Sequence, residues 1–108
     1  MSETVACEGT LWRWSQNGSP IGGWFFLTIA GLAADEIRGH ATMRKLETGS
    51  ARGFGSVRVK VQIGGSVWQT SVFPSNSHEG YVLPIKSTVR KAEDLSEGDG
   101  LSAILTLL

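Results

Sequence analysis

Seven side chains in this sequence could together build a site for an anion: Arg52, Phe54, Arg58, Lys60, Ser71, Lys86 and Arg90. Charge draws attention to them first. Between Arg38 and Lys60 six basic residues stand against the single acid Glu47, a net charge of +5 in a chain whose total is zero, so the remainder carries −5. A basic segment on a neutral protein can concentrate anionic ligands, although Lys and Arg on a strand also commonly just face water. Phe54 adds one aromatic ring to the stripe for stacking. Lys86 and Arg90 are four apart, one helical turn, and so share a face if their segment is helical.

The residues for other chemistries are present but not arranged for them. The two histidines, His40 and His78, lie far apart with no HExxH or GxSxG around them. Zinc needs three or four clustered N, S or O ligands, and the sequence supplies no such set. No metal or other cofactor is therefore expected. Asp35-Glu36 and Glu93-Asp94 are adjacent acids, which diverge around a helix instead of converging on one substrate atom. Cys7 is the only cysteine. That excludes an internal disulfide, and a lone thiol reads as a small buried apolar residue. The run Arg52-Gly53-Phe54-Gly55-Ser56-Val57-Arg58-Val59 nearly matches an RNA-stacking motif, but Ser56 stands where a second ring is needed. Gly53-Phe54-Gly55 and Gly64-Gly65-Ser66 are not followed by helices, so they read as turns and not as phosphate loops.

The elements that must hold these residues are mostly strands. Val57, Val59, Val61 and Ile63 alternate with Arg58, Lys60 and Gln62, which predicts a strand with one buried face and puts the basic residues on the other. Gly64-Gly65 makes a two-residue hairpin turn with positive φ angles. The hairpin then pairs Ile63 with Ser66, Val61 with Trp68, Val59 with Thr70 and Val57 with Val72, and sets Ser71 beside Arg58. Thr10 to Ser15 reads as a strand with Trp12 and Trp14 on one face, available to a pocket or an interface. The continuous apolar run Trp24 to Ile29 suits a buried strand. Gly31 to His40 is predicted as a short helix from the spacing of Ile29, Ala33 and Ile37. Tyr81 to Leu83 is a brief strand stopped by Pro84, followed by a helix with Ile85, Val89 and Ala92 on one face and Lys86, Arg90 and Lys91 outward. Leu101 to Leu108 alternates as the last strand.

Short strands with two short helices at corners predict a mainly β fold, a small closed barrel in one domain over residues 1–108, since closure removes exposed sheet edges. The Trp24 strand–helix segment is echoed by the Tyr81 strand–helix segment, which would make the barrel from two related halves. No apolar run reaches the length of a membrane span. Met1 to Glu8 carries Glu3 and Glu8 and no apolar signal core, so a cytoplasmic location is expected.

The ordered segments Arg52 to Val59, Ile63-Gly64-Gly65, Thr70 to Pro74, Tyr81 to Lys86, Val89-Arg90-Lys91 and Glu97-Gly98-Asp99 resemble the bacterial family called domain of unknown function 1905. The resemblance covers nearly the whole chain and implies a compact barrel with short helices, with no established activity. Gly100 departs from the larger residue with which that family usually begins its last strand. The C-terminal third, Gly80-Tyr81-Val82-Leu83-Pro84 followed by a helix and Glu97-Gly98-Asp99, is more loosely similar to AbrB-like and MazE-like barrels. Shared architecture does not imply their DNA binding. Two function classes fit these residues. One is a non-catalytic module that binds an anionic ligand, nucleic acid or a protein partner through the basic face; the other is an accessory or self-associating structural domain. An enzyme has the least support.

Overall fold

Alternation along the valine strand sets the sheet. In the computed structural model, which describes residues 3–15, 23–48, 55–75 and 80–108 (backbone only at 44–48), Val57, Val59, Val61 and Ile63 are buried while Arg58, Lys60 and Gln62 are exposed. The elements are β1 (Glu3–Trp14), β2 (Trp24–Ile29), α1 (Gly31–Thr48), β3 (Val57–Ile63), β4 (Ser66–Pro74), β5 (Tyr81–Pro84), α2 (Ser87–Ala92) and β6 (Gly100–Leu107). The six strands close into a barrel in the order β1-β2-β5-β4-β3-β6, each antiparallel to its neighbours. The β3–β4 register is the expected one at every position from Val57 with Val72 to Ile63 with Ser66. No helix among the described residues is long and apolar enough to cross a membrane.

The barrel interior is filled by the inward faces of all six strands, among them Leu11, Leu27, Val59, Val61, Val72, Leu83 and Leu105, each with no exposed surface. Exchanging β1, β2, α1 and β3 with β4, β5, α2 and β6 leaves every strand neighbour unchanged. The chain is thus two β-β-α-β halves about a pseudo-dyad, and the echoing segments at Trp24 and Tyr81 occupy equivalent places, β2 and β5. Because β2 and β5 run antiparallel, with Ile29 beside Tyr81 and Phe26 beside Pro84, the two helices leave from opposite ends of the barrel. The symmetry fails at those ends: α1 has 18 residues and α2 only 6.

Four expectations need correction. First, β1 begins at Glu3, well before Thr10. Of Glu3 to Gly9 only Val5 is fully buried, but hydrogen-bonded pairing with β6 from Glu3–Leu107 to Thr10–Gly100 makes the segment a strand. Second, α1 continues past His40 to Thr48; Gly39 lies on its open side with nothing near its missing Cβ, so it weakens the helix without ending it. The buried stripe is Ala34 and Ile37, with Ala33 and Ala41 alongside, while Ile29 belongs to β2. Third, β2 is not buried on both faces: Leu27 and Ile29 point inward, and Trp24 at the strand start is 63% exposed. Trp12 stacks on Phe26 on the outer wall with centroids 5.1 Å apart, and its Nε1 donates to Thr28 Oγ1 at 2.8 Å.

Fourth, the hairpin turn uses one positive φ, at Gly64 (57°), and Gly65 does not need one. A Cβ on Gly64 would also collide with the Glu93 carboxylate, which accepts a hydrogen bond from Ser66 Oγ at 2.7 Å. Gly64→Ala should therefore lower stability by about 1–2 kcal/mol, whereas Gly65→Ala, with open space at its Cβ, should not. Thermal melts of the two variants side by side check this; equal melting temperatures would contradict it.

Candidate ligand-binding cleft

The structure sorts the expected basic residues onto two surfaces. Arg58 and Lys60 project from the outer wall of β3 opposite Ser71 and Gln69 of β4, and Arg58 Nη2 donates to Gln69 Oε1 at 3.4 Å. Ser71 is half-buried next to Arg58, as the hairpin register requires. Exposed Ile104 and Val67 flank the adjoining Gln62, so the wall is a mixed, solvated surface. Arg52 and Phe54 lie outside the described residues.

Lys86 and Arg90 stand at the α2 end of the barrel instead. Ile85 N donates to Phe25 O at 2.8 Å, which anchors the residues after β5 beside β2. Leu83, Ile85 and Val89 are buried beneath, with Leu95 packed against them; Ala92 is exposed and takes no part in that face. Lys86 extends over Trp68, its Nζ 5.9 Å from the ring centroid. Arg90 does not point outward as expected. Its side chain turns back, Nε donating to Ile85 O at 3.2 Å, and the guanidinium lies on Phe25 with Cζ 3.7 Å from the ring centroid. The attraction of a planar, weakly hydrated cation to an aromatic face explains that posture, and Arg90 as a whole stays half-buried.

These residues border a cleft of about 370 Å³ whose other walls include Trp24, Gln69, Thr70 and Ser87. No acidic residue among the described residues lines it. Among the described residues the ion pairs are Arg13 with Glu97 at 3.6 Å, Arg38 with Asp35 at 3.0 Å and His40 with Glu3 at 3.8 Å, so neither Lys86 nor Arg90 has a carboxylate partner. A second cleft of about 590 Å³ continues past it, sharing Gly23, Phe25 and Arg90 and adding Arg13, Leu95, Ser96 and Glu97. Trp12 and Trp14 border neither cleft.

Other reactive groups are occupied elsewhere. His40 contacts Leu108 O through Nε2 at 3.1 Å, and no cluster of three His, Cys, Asp or Glu side chains exists among the described residues. Burial pushes the Cys7 thiol up to about 11 from 9.0. At neutral pH it is protonated, and its alkylation at pH 8 should run roughly a hundredfold slower than that of an exposed cysteine in proportion to thiolate. The same shift means that the folded state holds this proton more tightly, so its contribution to stability is full below pH 9 and falls as pH rises from there towards 11. Alkylation at an ordinary rate would show the thiol to be open to solvent.

Like Trp24 and Ile85, Phe25 and Trp68 line the cleft although sequence reasoning placed them in the core. Their signal is partial: both face inward by strand parity, but they sit near the barrel's end, where inward means towards the cleft. No curated protein matches the chain. The model of the family described as domain of unknown function (DUF1905) matches residues 8–104, and the chain belongs to that family.

Proposed function

We infer that this domain is a ligand-binding module, that its site is the cleft at the α2 end of the barrel, and that its ligand is a small organic anion. One observation carries the reading: Lys86 and the half-buried Arg90 are held on aromatic faces beside a cleft that, among the described residues, has no acidic side chain and offers them no carboxylate partner. A cation withdrawn from water costs free energy unless it is paired, and a bound anion supplies the partner. The hydrogen bond to Ile85 O and the Phe25 ring fix the guanidinium, so little side-chain freedom is lost on binding. A volume near 370 Å³ is of the size that admits a small molecule, and the mainly apolar walls suit one with an organic body. Arg58, Lys60 and Ser71 on the outer wall line neither of the two clefts and take no part in this reading.

The test is calorimetric titration with phenyl phosphate of the parent, Arg90→Gln, Lys86→Gln and Arg58→Gln, with melting temperatures recorded for each. Loss of one charge-assisted hydrogen bond should weaken binding by about tenfold or more in the first two variants and leave the Arg58 variant at parental affinity. Absence of binding by the parent, or an equal loss in Arg58→Gln, overturns the assignment.

A further inference from the structure

Arg90 belongs to two clefts at once. Its guanidinium, with Cζ 3.7 Å from the Phe25 ring centroid, belongs to a residue that lines both the cleft under Lys86 and the cleft bounded by Ser96 and Glu97. Its Nε is committed to Ile85 O, which leaves the two terminal nitrogens for an anion seated where the two clefts share walls. A ligand that ended in a carboxylate or a phosphate monoester would fill one cleft and leave the other empty. An anion with organic groups on both sides fills both.

We propose that the ligand is a phosphodiester joining two nucleosides, with its single phosphate on Arg90 and Lys86 and one nucleoside in each cleft; this rests on the anion-site reading above. The linkage has two non-bridging oxygens for the Arg90 fork and one negative charge between two bulky arms. The walls of the two clefts differ in a way that suits those arms. Trp24, Phe25 and Trp68 make the first cleft aromatic, a surface for a base. Ser96 and the Arg13–Glu97 pair give the second both donors and acceptors, which match a sugar and a base edge. The charge pattern also limits length. Glu97 lines the second cleft and exposed Asp94 and Asp99 lie close to it in the chain, a local negative charge that would repel a further phosphate, so the site fits a dinucleotide and not a long strand.

The experiment titrates the full chain, at low salt, with the dinucleoside monophosphate of deoxyadenosine, deoxyadenosine 5′-monophosphate, phenyl phosphate, a ten-residue oligodeoxyadenylate and a capped Gly-Asp-Gly peptide. The dinucleotide should bind about tenfold tighter than the mononucleotide although it carries less charge, because a second base is engaged. Ser96→Trp, a substitution at an exposed position that fills the second cleft, should abolish that gain and leave mononucleotide affinity unchanged. Phenyl phosphate and mononucleotide binding as tightly as the dinucleotide would overturn the two-arm ligand while keeping the anion site. Tighter binding of the peptide, or an oligonucleotide gain beyond its number of binding registers, would overturn it as well. Failure of every anion to bind would remove the anion site itself.

Discussion

Val61→Asp is expected to unfold the domain, whereas Lys60→Asp should melt within about 3 °C of the parent. The two positions are adjacent in β3 and differ only in the side of the barrel they face. Val61 is completely buried, paired with Trp68 of β4 and Leu105 of β6, so an aspartate there meets apolar side chains from several strands. A buried, unpaired carboxylate costs several kcal/mol even when it takes up a proton, and the whole domain is stabilised by only about 5–15 kcal/mol. Lys60 is exposed opposite Gln69 and Thr106, and reversing its charge leaves the interior untouched. Circular dichroism melts of both variants decide the matter; similar melting temperatures would mean that the alternation has been assigned to the wrong face.

Gly80→Ala should be nearly as damaging, for a backbone reason. Gly80 has φ of 126°, and a Cβ there would overlap the carbonyl oxygen of Ile29 and come within 3.1 Å of Ala34 Cβ. The glycine lets the start of β5 pass tightly between the end of β2 and the first turns of α1. The obstructing group is main chain, so it cannot swing aside as a side chain would. Backbone strain of about 1–3 kcal/mol and an overpacking term of similar size together imply a fall in melting temperature of at least about 10 °C. Gly39→Ala in α1 makes the control, because its Cβ would meet nothing and alanine favours the helix by up to about 1 kcal/mol. The two changes should therefore move stability in opposite directions. A Gly80 variant as stable as the parent would show that β5 can shift without cost.

The β3–β4 hairpin was readable in full because two local signals agree: strict alternation over Val57 to Ile63 and a Gly-Gly turn that leaves one in-phase register. The closed barrel was readable from short strands with corner helices, whose exposed edges closure removes, and the two halves only as the echo between the Trp24 and Tyr81 segments. The first half of β1 was not, since Glu3, Ala6 and Glu8 carry no apolar pattern and the segment is a strand through its pairing with β6, almost a full chain length away. Similar reasoning accounts for the cleft. The spacing of Lys86 and Arg90 places them together on one turn of backbone, yet what holds Arg90 is Phe25, brought beside it only when β5 pairs with β2 and the chain turns into α2. Strand parity correctly aimed Arg58 and Lys60 outward. It cannot tell that outward on β3 is a different surface from the end of the barrel, which is why one basic stripe in the sequence becomes two separate sets of residues in space.

The central claim, an anion site built on Arg90 and Lys86, is tested most directly by following the arginine Nε and tryptophan indole signals of the ¹⁵N-labelled chain while phenyl phosphate is added. Arg90 Nε and the Trp68 indole should shift together and saturate with one affinity, while Arg58 Nε and the Trp12 indole, whose side chains bond Gln69 (through Arg58 Nη2) and Thr28 on the outer wall, stay in place. Shifts concentrated at Arg58, or none at Arg90 under conditions where the ligand binds, would contradict it.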